Sequence, residues 1–107
     1  MNRTTLTRTA PGAFSITGDL DFASVGDLLA QGEQAFAEHQ LIRIDLQGVG
    51  QANSAGLALL LEWLDRARRR RQRLELVHLP ESLARIAAIT NLTGLLSPGA
   101  DTAPPRS

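Results

Sequence analysis

Residues 41–57 read LIRIDLQGVGQANSAGL, and the way this stretch divides decides the fold. Residues 41–46 are mostly apolar and rich in strand formers, the composition of a buried central strand. From Ser54 the apolar period lengthens, and Leu57, Leu60, Leu64 and Ala67 share one face at about 100° per residue, the period of a helix. Between the two lies a run of small residues containing one hydroxyl. A strand, a short junction and a helix in succession make one βα unit of an α/β sheet.

Upstream, residues 4–8 (TTLTR) suit a short strand, Pro11-Gly12 is a turn signal, and residues 13–17 (AFSIT) alternate as a second strand. Gly18-Asp19-Leu20-Asp21 breaks that strand, and Ser24 then stands as the N-cap of a helix to about residue 39. Downstream, the long helix runs from residue 54 to about 71, and residues 74–79 (LELVHL) form the next strand. Pro80 and Glu81 open a third helix to about residue 90, after which Leu92, Leu95 and Leu96 form a short cap. The order β-β-α-β-α-β-α implies a mixed, mostly parallel sheet with right-handed crossovers and helices packed on it. Residues 1–12 are an N-terminal strand and turn, residues 13–96 the folded domain, and residues 97–107 a disordered tail rich in Pro, Ser and Gly.

A chain of 107 residues suffices for one domain, and its 43% hydrophobic and 21% charged content is that of a folded domain. There is no cysteine, which excludes disulfides and thiolate metal sites. No apolar run has the length of a signal peptide or a membrane span, so the expected location is the cytoplasm. Net charge is zero, which removes any global attraction to nucleic acid. The basic charge is nevertheless clustered: Arg66, Arg68, Arg69, Arg70, Arg71 and Arg73 fall close together. Arginines at a helix C-terminus oppose its dipole, and no aromatic is interleaved among them for base stacking.

The junction excludes several chemistries. A dinucleotide fingerprint would need Gly or Ala where Asn53 stands, and an acid at the end of the next strand, which ends in His78-Leu79. A P-loop would need Lys then Ser or Thr after Gly56, which is followed by Leu57-Ala58. Neither histidine, His39 or His78, lies in a nucleophile-elbow context, and no carboxylate pair or metal-ligand spacing stands out. The expectation is a protein without catalytic residues, metal or cofactor.

Asn53 or Ser54 suits a helix cap worth roughly 1 kcal/mol. A cap does not account for the small neighbours Ala52, Ala55 and Ala58, which leave the backbone open to another polypeptide. On the wheel, Ser54, Ala58, Leu61, Glu62, Asp65 and Arg69 oppose the core stripe, with Leu59 and Trp63 on a flank. Trp63, the one Trp of the chain, fits either a cover for the sheet edge or an interface anchor.

These residues resemble the STAS domain family. The family pattern is a strand ending in Asp-Leu, a short loop with a Val, and Asp-Ser/Thr-Ser/Gly-Gly-Leu opening a helix. Asp45-Leu46, Val49 and Asn53-Ser54-Ala55-Gly56-Leu57 stand on those positions, and residues 14–21 (FSITGDLD) match the opening strand with its Gly18-x-Leu20 turn. Residues 56–61 with Leu64-Asp65 are most similar to the MlaB branch, the small STAS subunit of a bacterial intermembrane phospholipid transport system.

The resemblance implies a non-catalytic subunit on the cytoplasmic ATPase of an ABC transporter. Through that complex, which includes permease and substrate-binding subunits, it would sit beside the inner membrane and support outer-membrane lipid asymmetry. The expected partner surface is Asn53, Ser54, Ala55, Ala58, Leu61, Glu62 and Asp65. The alternative is an anti-sigma factor antagonist phosphorylated on Ser54. Asn53 in place of Asp and Ala55 in place of Ser weaken that alternative.

Overall fold

Strand β3 (Leu41–Ala52) is the spine of the molecule. The computed structural model describes residues 4–89. Before β3 come the hairpin β1 (Thr5–Ala10) and β2 (Ala13–Leu20) and helix α1 (Val25–Phe36); after it come α2 (Ser54–Arg69), β4 (Arg73–Val77) and α3 (Glu81–Ile89). The sheet order is β1-β2-β3-β4. The hairpin pair is antiparallel, and β2–β3 and β3–β4 are parallel, so the sheet is mixed as its element order requires.

Alternation in β3 buries Ile42, Ile44 and Leu46 and exposes Leu41, Arg43 and Gln47. The buried row meets Phe14, Ile16 and Leu20 from β2, Leu74 and Leu76 from β4, and Leu28, Leu60 and Leu83 from the three helices. The helices therefore cover one face, and polar residues line the other. Each fully buried leucine or isoleucine contributes about 1.5–3 kcal/mol.

Several boundaries depart from the sequence reading. Strand β3 does not stop at Leu46 but continues to Ala52, because β2 runs beside it in the registers Thr17↔Gly48, Gly18↔Val49 and Leu20↔Ala52. Gly48 belongs to the sheet: a Cβ there would fall 2.7 Å from Thr17 Cγ2 and 3.0 Å from the Ile16 carbonyl oxygen, so its smallness permits close strand approach. Likewise Gly18-Asp19-Leu20 continues β2 through an irregular register, with Gly18 at φ 106°. Helix α1 ends at Phe36 and β4 at Val77, with His78 at φ 58° in left-handed backbone.

Ser24 occupies the N-cap position of α1 without capping it. Its Oγ donates to the Asp19 carbonyl (2.9 Å), while the Asp21 carboxylate accepts the N–H groups of Ala23 (3.1 Å) and Ser24 (3.2 Å). The expected cap of Leu92, Leu95 and Leu96 and the tail 97–107 lie outside the described residues. No helix among the described residues is long and apolar enough to cross a membrane.

Candidate functional site

The start of α2 is set by Asn53. Its backbone is extended (φ −120°, ψ −166°) and its Oδ1 accepts the Ala55 N–H at 2.9 Å, so Asn53 is the cap and Ser54 the first helical residue. The Ser54 side chain is thereby released from the capping duty that the sequence left open between the two. It is exposed and makes no hydrogen bond among the described residues. The first turn of α2 holds no acid, so no side-chain charge opposes the positive end of its dipole.

From Ser54 the exposed strip follows the helical period through Ala58 to the half-buried Leu61, Glu62 and Asp65. Both acids are engaged. Glu62 accepts from Arg66 Nε at 2.7 Å, and Asp65 pairs with Arg69 at 2.5 Å and Arg68 at 3.5 Å. Arg66 also pairs with Glu33 of α1. Glu62 and then Glu33 hold the Arg66 guanidinium above its ordinary pKa.

One expected position, Ala55, does not reach this surface, and Trp63, left open between cover and anchor, does not either. Ala55 is 7% exposed and turns into the core, because the buried side of α2 begins with Ala55, Gly56 and Leu57. Trp63 is 2% exposed, which removes it as an interface anchor. Its ring meets Phe36 edge-on at 5.1 Å between centroids and lies over Gly32, where a Cβ would fall 2.6 Å from Trp63 Nε1. The buried side therefore keeps the expected Leu57, Leu60 and Ala67 and adds Ala55, Gly56, Leu59 and Trp63, while Leu64 is only half-buried.

One residue of the surface was absent from the sequence reading. Phe22 is 79% exposed, more than any other large apolar side chain among the described residues. Its loop is tied to the start of α2: the Leu20 carbonyl accepts the Asn53 N–H at 3.1 Å, and Asp19 Oδ1 accepts the Gln51 N–H at 2.8 Å. The Asp21–Ser24 hydrogen bonds hold the loop from the other side. The result is a hydrogen-bonded turn, tied through Leu20 to the cap residue of α2, that exposes an aromatic. The available signal was an aromatic inside a polar turn, Asp21-Phe22-Ala23-Ser24.

The histidines stand elsewhere. His39 meets Phe14 edge-on at 6.0 Å. His78 Nδ1 lies 2.9 Å from Asp45 Oδ1 on the uncovered face of the sheet. The Gln47 backbone N–H, and then His78, hold the Asp45 carboxyl below its ordinary range. No base lies beside Ser54 Oγ among the described residues, and no cluster there could hold a metal ion.

Residues 6–97 match the family model described as "Mlab, STAS domain". No curated protein matches the chain at a significant level. Among solved structures, the chain is similar to the anti-sigma factor antagonist SpoIIAA in its unphosphorylated form, at 16% identity over 88% of this chain and 85% of that one, with a TM-score of 0.69. It is also similar to the Bacillus cell fate determinant SpoIIAA in the phosphorylated form, at 17% identity over 84% of this chain and 85% of that one, with a TM-score of 0.66. At such identities the likeness is one of fold.

Proposed function

Because the chain belongs to the STAS domain family, we propose that it is a non-catalytic subunit that docks, through the N-terminal end of α2, on the cytoplasmic ATPase of an ABC phospholipid transporter. In this role it supports assembly and activity of the complex that maintains outer-membrane lipid asymmetry, and it lies beside the inner membrane through its partner. The observation that carries the reading is an exposed, unbonded Ser54 together with an exposed Phe22 whose turn follows the Leu20–Asn53 hydrogen bond at the start of α2. A preorganised aromatic beside small side chains is what a protein hot spot requires, because little ordering cost remains to be met on binding. The label of the matching family model supports the choice of partner.

A second reading has one observation in its favour. With no acid in its first turn, α2 would stabilise a phosphate on Ser54, as in an anti-sigma factor antagonist. Asn53 and Ala55 stand where the phosphorylated pattern has Asp and Ser, and the docking reading needs neither.

The test is Ser54→Arg, assayed for co-purification with the transporter ATPase. The expected result is loss of the complex with unchanged circular dichroism. Retention at wild-type yield overturns the docking site. A gain of one phosphate on Ser54 with a cognate kinase, without ATPase binding, favours the second reading.

A further inference from the structure

The end of the molecule opposite Ser54 carries the arginine run. The N-terminal ends of β2, β3 and β4 converge there: the Gly12 carbonyl accepts the Arg43 N–H and the Gln40 carbonyl the Arg73 N–H, each at 2.8 Å. Gln72 Nε2 ties the two neighbouring loops together by donating to the carbonyls of Phe36 (2.7 Å) and His39 (2.8 Å). On this frame stand Arg68, Arg69, Arg70, Arg71 and Arg73.

Among the described residues, three acids are each shared between two arginines. Asp65 is shared by Arg68 and Arg69, Glu33 by Arg66 and Arg70, and Glu75 by Arg43 and Arg73. Arg68 and Arg69 remain 82% and 72% exposed. Arg71 is exposed and has no carboxylate partner among the described residues. The helix dipole accounts for arginines in the last turn of α2. It does not account for Arg71, which lies beyond the helix.

Arg71 also occupies an unfavourable backbone. The Gln72 N–H bonds to the Ala67 carbonyl (2.8 Å) and the Arg71 N–H to the Arg68 carbonyl (3.1 Å), the double bond of a Schellman ending. The residue at that corner has φ 60°, where glycine is the easy choice. A charged side chain held in strained backbone and pointed at solvent suggests a function. An apolar group stands in the same region: Leu41, 51% exposed, is the cross-strand neighbour of Arg73.

We propose that this end binds the surface of an anionic lipid bilayer, with the guanidiniums of Arg68, Arg69 and Arg71 on lipid phosphates and Leu41 at the headgroup boundary. Guanidinium forks match phosphate oxygens in pairs, and basic residues next to an apolar one suit a membrane interface. Nucleic acid fits less well, since no aromatic offers stacking and Leu41 gains nothing from a phosphodiester. Because β2, β3 and α2 all run between this end and Ser54, both ends can be occupied together. The proposal goes beyond the docking reading, and its test contains no ATPase.

The test is co-sedimentation of the full chain with vesicles of equal parts phosphatidylglycerol and phosphatidylcholine, against vesicles of phosphatidylcholine alone. The expected result is binding to the anionic vesicles that weakens with salt. The triple variant Arg68→Gln, Arg69→Gln, Arg71→Gly should bind about a hundredfold more weakly, since each basic residue near such a surface contributes about fivefold. Its glycine relieves the strained corner, so folding is preserved and circular dichroism confirms it. Leu41→Ser should weaken binding several-fold. Absent binding, equal binding to neutral vesicles, an unaffected triple variant, or tighter binding to duplex DNA than to vesicles would each overturn the proposal.

Discussion

Leu20 and Gly56 meet with no space between them: a Cβ on Gly56 would stand 2.7 Å from Leu20 Cβ and 3.1 Å from its carbonyl oxygen. This contact sets the Phe22 loop against the start of α2. Gly56→Ala regains up to about 1 kcal/mol of helix propensity, but overpacking costs about 1–3 kcal/mol. The expected net loss is about 1 kcal/mol, read as a lower urea midpoint, with weaker partner binding. A variant more stable than wild type would show that the loop is not held as described.

Asn53 and Ser54 are adjacent hydrophilic residues with separate duties. Asn53→Ala removes the hydrogen bond to the Ala55 N–H and should lower stability by about 1 kcal/mol. Ser54→Ala should stay within about 0.5 kcal/mol, the range of an exposed position that caps nothing. Denaturant titration of both variants checks the division. A larger loss at Ser54 would return the cap to that residue.

Phe22 is exposed on the free chain, so Phe22→Ala removes little folding energy. If the turn displays it to a partner, truncation should raise Kd for the ATPase at least tenfold, the ordinary effect of removing an interface anchor (about 1.4 kcal/mol or more). Calorimetry on the variant decides it. A Kd within twofold of wild type, where Ser54→Arg still abolishes binding, would take Phe22 out of the interface and leave the docking site in place.

Glu33 gives the fold an acid-sensitive tie between α1 and α2. Its carboxylate accepts from Arg70 and Arg66, and these bonds hold its pKa below the ordinary value of 4.5. A group whose pKa is depressed by folding stabilises the native state above its unfolded pKa, and that contribution is lost as pH falls through the folded value. Wild-type stability should therefore decline below about pH 4.5. Glu33→Gln should be slightly less stable at neutral pH, by under about 1 kcal/mol given solvent screening, and flatter on the acid side. Parallel slopes of melting temperature against pH for the two proteins would remove Glu33 as a cause.

The order of elements was legible because periodicity changes cleanly from two to nearly four at the junction. The length of β3 was not. Gly48 and Gly50 read as punctuation, whereas the close approach of Thr17 gives Gly48 its purpose only once β2 is in place. The helical wheel chose the stripe Leu57, Leu60, Leu64 and Ala67, of which only Leu64 is not buried. It had no way to see Gly32 across the interface, and that notch draws Trp63 inward and widens the buried side beyond Leu57, Leu60 and Ala67. Ser54 and its strip were legible from residue size. Ala55 was misplaced because a small residue looks alike on either side of a helix. Phe22 escaped because one aromatic in a turn carries no period, and its exposure depends on Asp21 and Ser24 fixing the turn.

Strand β3 leaves the arginine-rich end at Leu41 and finishes at Ala52, one residue before the cap of α2. Twelve residues of extended chain cover roughly 35–40 Å, and no loop interrupts them. Among the described residues, no joint lies along this strand between the two ends. Two bodies attached at these ends as proposed would stand a set distance apart, with no bend passed from one to the other.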